Sequence, residues 1–129
     1  MKYETVIGIE IHCELKTKTK MFSGAPTSFG EVANTCVNEV DLGHPGTLPC
    51  VNKDAVRLAI LAATALKCEI DPLVKFDRKN YYYSDLPKGF QITQQFHPIG
   101  SNGVITIKTD DGEKDIRINR IHMEEDTAK

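Results

Sequence analysis

Three side chains of metal-ligand type share one face of the first predicted strand, which we place at residues 3 to 16. Because strand side chains alternate between faces, Glu10, His12 and Glu14 point the same way. The opposite face is apolar and consists of Ile7, Ile9, Ile11, Cys13 and Leu15. A polar face that only met water would more often carry Lys, Thr or Ser. This face therefore indicates either a metal site or an ordinary exposed strand, and the spacing alone favours neither.

A second group of acidic and histidine residues lies near the other end of the chain, in His122-Met123-Glu124-Glu125-Asp126. Two such clusters at opposite ends of a small domain favour one composite site for a divalent cation. Hard cations such as Mg²⁺ take carboxylate oxygen, whereas imidazole is more usual with Mn²⁺ or Zn²⁺. If the strand continues, Glu124 and Glu125 face opposite ways. We then expect one of them to be a ligand and the other to be a general base or to support a ligand.

Basic and aromatic residues surround a predicted turn at residues 85 to 89. Arg78, Lys79 and Tyr81 precede this turn, and Lys88 lies within it. Arginine and lysine can hold a phosphate, and aromatic rings can stack on a base. The alternative is a solvated charged loop. The sequence has neither a P-loop nor a Gly-rich dinucleotide motif, so a nucleotide site here would be of another kind.

The clearest predicted element is a helix from residue 53 to about residue 67, with Asn52 as its N-cap. Apolar residues repeat in it at three- and four-residue spacing and predict one buried stripe of Val56, Ala59, Ile60, Ala63 and Leu66. The run Thr109-Asp110-Asp111-Gly112 is a strong hairpin signal between strands at 104–108 and 115–121.

Shorter strands are predicted within residues 73–84 and 90–99. Residues 17–50 are rich in turn formers and predict a long loop, with short strands near residues 37–42. No alternating βαβ pattern occurs. We therefore predict an α+β fold with a mainly antiparallel sheet and one long helix.

Length and composition limit the class of protein. The chain has 129 residues, 40% hydrophobic and 26% charged, which predicts a single domain at residues 1–129. Its net charge of -2 gives no overall attraction to nucleic acid, so an RNA partner would need a local patch. Four cysteines without a CxxC pair, no signal peptide and no apolar run of membrane-spanning length predict a cytoplasmic protein with reduced thiols and no membrane partner. The abrupt acidic end predicts a boundary inside a longer protein.

Three segments together resemble one known family. They are the opening Tyr3-Glu4-Thr5-Val6-Ile7-Gly8-Ile9-Glu10-Ile11-His12, the run from Phe76 to Ile92, and Arg120-Ile121-His122-Met123-Glu124-Glu125-Asp126. In this order they resemble the B subunit of the aspartyl/glutamyl-tRNA(Asn/Gln) amidotransferase. The resemblance covers essentially the whole chain. It implies the N-terminal part of that subunit's catalytic domain, with the later domains absent.

The resemblance implies an ATP-dependent transamidase of the kinase type. Such an enzyme phosphorylates the side-chain carboxylate of Glu or Asp mischarged on tRNA(Gln) or tRNA(Asn). Ammonia, released from glutamine by the A subunit, then displaces the phosphate, and the complex is braced by a small C subunit. The implied fold is similar to those of glutamine synthetase and the guanidino kinases. Phosphoryl transfer needs Mg²⁺ and cationic side chains to neutralise the spreading charge.

Residue roles follow from the resemblance position by position. The implied Mg²⁺ ligands are Glu10, His12 and Glu125. The implied catalytic residues are Lys79, Lys88 and Glu124. The implied nucleotide-binding residues are Arg78, Lys79 and Tyr81.

One departure from the family concerns zinc. Many members of the family carry zinc-binding CxC and CxxC pairs in the loop after the first strand. The corresponding positions in this chain are Ser23, Ala25, Asn38 and Asp41. Because a structural zinc site needs four nitrogen or sulfur ligands, we expect no structural zinc here.

Two other functions stay open at this point. One is a non-enzymatic tRNA-binding module that shares the fold. The other is a stand-alone metal-dependent phosphotransferase, against which the abrupt end of the chain argues. Because half of a preorganised site does not stabilise a transition state, we expect the isolated chain to be inactive.

Overall fold

The computed structural model describes residues 2–84 and 86–126, and within them it has one helix and two antiparallel sheets. In chain order the elements are α1 (Lys53–Ala65), β1 (Glu69–Ile70), β2 (Asp77–Asn80), β3 (Phe90–Thr93), β4 (Gly100–Thr109) and β5 (Gly112–Ile121). One sheet has the order β1-β4-β5, and the other pairs β2 with β3. The predicted α+β class with antiparallel pairing is confirmed.

The helix begins where the sequence predicts it. The side chain of Asn52 accepts hydrogen bonds from the main-chain N–H groups of Asp54 and Ala55, at 2.9 and 3.3 Å, and so caps the first turn. The buried stripe is rotated from the predicted one. It consists of Ala55, Ala59 and Ala63, spaced four residues apart, whereas Ile60 is 37% exposed. Small side chains at this spacing allow the helix to approach the sheet closely.

The predicted hairpin is confirmed and is longer than expected. Strands β4 and β5 pair from Gly100 with Ile121 to Thr109 with Gly112, so the turn is Asp110-Asp111. Gly112 has a φ of +119°, a conformation that residues with a Cβ rarely adopt. The shorter predicted strands are reduced to β2 and β3, which pair with each other, and the two-residue β1 was not predicted.

The core lies between the helix and the segments that flank the hairpin. Its buried residues are Ala55, Ala59, Ile99 and Met123. Met123 belongs to the segment after β5, residues 122–126, which we call the acidic tail. Burial of Met123 at 3% exposure fixes the acidic tail against the core.

The predicted strand at residues 3–16 is wrong for this structure. Residues 2–16, which we call the N-terminal segment, form no strand, and Val6, Ile7 and Ile9 are about as exposed as in an unfolded chain, at 78–87%. A strand exists only where a neighbour completes its hydrogen-bonding ladder, and none of the described strands pairs with this segment. Periodicity describes the faces that this segment would have as a strand, but it does not identify a pairing partner.

The long loop at residues 17–50 is confirmed, apart from an isolated bridge between Thr19 and Pro26. The short strands expected near residues 37–42 are wrong, because this stretch forms turns closed by local hydrogen bonds such as Leu42 N–H to the Asn38 carbonyl. Across the described residues, no helix is both long and apolar enough to cross a membrane.

Gly103 is the position at which a single methyl group should be most costly to the fold. An added Cβ would lie 2.4 Å from Sγ of Cys68 and 2.6 Å from the main-chain oxygen of Leu66. Because the main chain cannot rotate away, we expect Gly103→Ala to lower the stability by about 3 kcal/mol. Thermal unfolding of the purified protein measures this, with Gly8→Ala as the control, since no atom lies within 4 Å of a Cβ there. Equal melting temperatures for the two variants would contradict the expectation.

Candidate active site

One cleft collects most of the residues that the sequence singled out. It has a volume of about 550 Å³ and lies between the N-terminal segment, the β2–β3 sheet and the acidic tail. Carboxylates, imidazoles, cations and polar side chains line it: Glu10, His12, Asp77, Arg78, Lys79, Thr93, Gln95, Phe96, Arg120, His122 and Glu124. The two ligand-type clusters from opposite ends of the chain thus face the same space.

Glu124 is the carboxylate at the centre of this cleft. Its Oε2 accepts a hydrogen bond from the hydroxyl of Thr93 at 3.3 Å and lies 3.4 Å from Nε2 of His122. Its Oε1 lies 3.8 Å from Nδ1 of His12. Two imidazoles, one from each end of the chain, therefore flank a single carboxylate.

Alternation along the acidic tail explains this placement. Met123 points into the core, so its neighbours His122 and Glu124 point the other way, into the cleft. Counting back by two reaches Arg120 at the end of β5, which also lines the cleft. The sequence reasoning missed Arg120 as a site residue, although the same period of two would have found it.

Glu125 lies on the opposite side of the acidic tail, as the alternation of Glu124 and Glu125 predicts. Its carboxylate binds Nζ of Lys88 with both oxygens, at 2.7 and 2.6 Å, and Oε1 also accepts the main-chain N–H of Ile92 at 2.9 Å. The Lys88 and Glu125 side chains are only 10% and 15% exposed, and neither lines the cleft. The predicted ligand and the predicted catalytic lysine thus pair with each other.

The chemistry of the cleft residues suits a divalent cation of the Mg²⁺ or Mn²⁺ type. Glu10 and Glu124 offer hard carboxylate oxygens and His12 offers an imidazole nitrogen. In the described parts of the chain, however, no three His, Cys, Asp or Glu side chains lie close enough together to hold an ion. Ligation requires these side chains to close up, and the His12 side chain is 74% exposed and has room to turn.

Basic residues also line the cleft. Arg78 and Lys79 reach it from β2. The Arg78 guanidinium lies 4.7 Å above the ring of Phe90, and the Lys79 ammonium lies 5.8 Å from the ring of Tyr81. Such cation–π contacts hold long side chains in place while leaving their charge available.

Tyr81 does not line this cleft. With Lys79 and Tyr83 it lines a shallow hollow of about 380 Å³, and its ring meets that of Tyr83 edge to face at 5.5 Å. Lys79 borders both spaces. The predicted nucleotide-binding residues are therefore neighbours, with the cations in the cleft and the aromatic ring beside it.

The four positions that correspond to zinc ligands in the resembled family lie close together. The hydroxyl of Ser23 donates to both oxygens of Asp41, at 3.1 and 2.9 Å, and the Asn38 N–H donates to Asp41 at 3.0 Å. The Ala25 N–H donates to the Ser23 hydroxyl at 3.3 Å, and Lys20 lies 3.6 Å from Asp41. Hydrogen bonds to one carboxylate thus join the two turns of the loop.

This Asp41-centred arrangement gives a prediction about the loop. We expect Asp41→Ala to lower the melting temperature, with a loss of about 2 kcal/mol, because several partners of one charged acceptor are left unpaired. Glu39→Ala, an exposed acid in the same turn, is the control and should have little effect.

We also expect a strong chelator to leave the melting temperature of the unmodified protein unchanged. About one tightly held zinc per chain would contradict this account.

Comparison with known proteins gives consistent matches. A family model described as the GatB/GatE catalytic domain matches residues 5–129. The B subunit of the aspartyl/glutamyl-tRNA(Asn/Gln) amidotransferase from Mycoplasma mobile is 63% identical over 127 residues, covering 98% of this chain and 27% of that protein. Proteins with the same name match from Mesoplasma florum, at 61% identity over 98% of this chain and 26% of the relative, and from Bacillus licheniformis, at 56% over 100% and 27%. The chain thus spans about a quarter of the length of these relatives.

Proposed function

Because the chain belongs to the GatB/GatE catalytic domain family, we propose that it is the N-terminal part of the B subunit of a tRNA-dependent amidotransferase. In this proposal the full-length protein works in the cytoplasm with the A and C subunits of the enzyme. Its substrates are ATP and Glu or Asp mischarged on tRNA(Gln) or tRNA(Asn). Its fold, completed by the rest of the protein, is of the glutamine synthetase and guanidino kinase type.

The observation that carries the proposal is that one cleft holds both ligand-type and basic side chains. Glu10, His12 and Glu124 line it together with Arg78 and Lys79. A carboxylate is a poor acyl donor, whereas an acyl phosphate is a good one. Forming the acyl phosphate brings the anionic carboxylate against the anionic γ-phosphate. Cations in the cleft reduce that repulsion.

The residues of this chain divide the work in the following way. Arg78 and Lys79 bind phosphate oxygens and neutralise charge that spreads in the transition state. Glu10, His12 and Glu124 would hold a divalent cation, which when bound neutralises and orients the ATP phosphates. We assign the ligand role to Glu124 in place of Glu125, because the Glu125 oxygens bind Lys88 and the Ile92 N–H.

The test is amidation by the whole protein. The full-length protein that contains this chain, assembled with the A and C subunits, should convert Glu-tRNA(Gln) or Asp-tRNA(Asn) to the amide form. It should do so only with ATP and Mg²⁺, with one ADP released for each amide formed. Tight binding of these tRNAs without amidation would instead support the non-enzymatic tRNA-binding module and overturn the proposal.

A further inference from the structure

Two buried glutamines, one in β3 and one just after it, bond to the acidic tail that carries Glu124. Gln94 follows β3 and is 1% exposed, and Gln91 lies within β3 and is 8% exposed. Neither lines the cleft, and no sequence pattern singles them out. A buried amide is costly unless its donor and acceptor are both used, so its partners show what it holds.

Gln94 joins two distant segments to each other. Its Oε1 accepts the main-chain N–H of Met123 at 3.0 Å, and its Nε2 donates to the carbonyl of Lys75 at 3.1 Å. Lys75 lies just before β2, which carries the cations of the cleft. Gln94 therefore fixes the acidic tail relative to the start of β2.

Gln91 holds the acidic tail on the other side of Glu124. Its Nε2 donates to the main-chain carbonyl of Glu125 at 2.7 Å. The two amides thus bind the residue before Glu124 and the residue after it. Main-chain pairing between the acidic tail and β3 consists, in the described chain, of the Glu125 N–H to Ile92 carbonyl bond alone.

We propose that Gln94 and Gln91 are positioning residues that aim the Glu124 carboxylate into the cleft, a role that rests on the proposed function. Apart from the buried Met123 side chain and the Glu125 carboxylate, a single main-chain bond holds this extended segment. A shift of one residue would reverse its faces. The glutamine side chains supply the bonds that a neighbouring strand would otherwise make. They act through Glu124 and do not themselves contact substrate.

The test uses shape-matched variants of the full-length protein in complex with its partner subunits. Gln94→Met keeps the length of the side chain and removes both of its hydrogen bonds. Gln91→Met removes the hydrogen bond to the Glu125 carbonyl. The control is Ala63→Gly, which destabilises the helix interior at a fully buried position away from the cleft. Two quantities are measured: kcat and KM for amidation of mischarged tRNA, and amide hydrogen exchange of a peptide that spans residues 122–126.

We expect Gln94→Met to lower kcat by up to about 100-fold, the loss that a displacement of about 1 Å produces, while KM for the tRNA changes by less than about twofold. Amide hydrogen exchange across residues 122–126 should become faster. Ala63→Gly should keep the wild-type kcat. Gln91→Met should change kcat in the same direction.

Two outcomes would overturn the positioning role. One is a wild-type kcat in Gln94→Met, and the other is a loss no greater than that of Ala63→Gly. If the unmodified complex shows no amidation, the proposed function fails. The exchange measurement alone then tests whether Gln94 holds the acidic tail in place. Unchanged exchange across residues 122–126 in Gln94→Met would then overturn the role as well.

Discussion

Replacing Glu10 with glutamine in the assembled enzyme is expected to slow ATP-dependent amidation by about 100-fold or more, the cost of losing one preorganised group at a charged transition state. The amide keeps the shape of the side chain and removes its charge, so packing is unchanged. The Mg²⁺ concentration needed for half-maximal rate should rise. In the proposed assembly glutamine is hydrolysed on the A subunit, so that hydrolysis should survive, although weaker coupling between the two sites would lower its rate.

The matched control for this variant is Glu4→Gln, which makes the same chemical change in the same exposed segment. Glu4 does not line the cleft, whereas Glu10 does. We expect Glu4→Gln to keep the wild-type rate. A wild-type rate for Glu10→Gln at limiting Mg²⁺ would remove Glu10 from the ligand set.

Replacing Lys88 with methionine is expected to cost roughly 3 kcal/mol of stability, because it leaves a largely buried carboxylate without its cation. The Glu125 side chain is 15% exposed and has no other cation within salt-bridge distance in the described chain. Adding Glu125→Gln removes the stranded charge and keeps an oxygen to accept the Ile92 N–H. The double variant should therefore recover most of the lost stability, as measured by thermal unfolding.

Activity of the double variant separates two roles of Lys88. If Lys88 only holds the acidic tail, amidation should recover together with stability. If Lys88 contacts the reacting groups, as the family resemblance implies, amidation should stay low while stability recovers. A double variant no more stable than Lys88→Met would contradict the ion-pair account.

The parts of the fold that sequence predicted are those with local causes. Asn52 caps the helix with its own side chain, and the turn before Gly112 depends on residues adjacent in sequence. The N-terminal segment failed as a strand because strand formation depends on a partner elsewhere. The displaced helix stripe has a similar cause, since close approach of Ala63 to Gly100 decides which face is buried.

The site was predictable in composition but not in orientation. Alternation indicates that Glu124 and Glu125 face opposite ways, and this is confirmed. Which of them enters the cleft depends on where Lys88 and Met123 lie, and that follows only from the folded chain. The roles of Gln91 and Gln94 had no local signal, because a buried glutamine has the same sequence pattern as an exposed one.

The most direct test of the central claim follows one oxygen atom. Mischarged tRNA labelled with oxygen-18 in the side-chain carboxylate is amidated by the assembled enzyme, and the inorganic phosphate is analysed by mass spectrometry. If the carboxylate attacks the γ-phosphate and ammonia then displaces phosphate, one labelled oxygen should appear in phosphate for each amide formed. Glu10→Gln should lower the yields of amide and of labelled phosphate together. Amide formation with unlabelled phosphate would contradict an acyl phosphate made in this cleft.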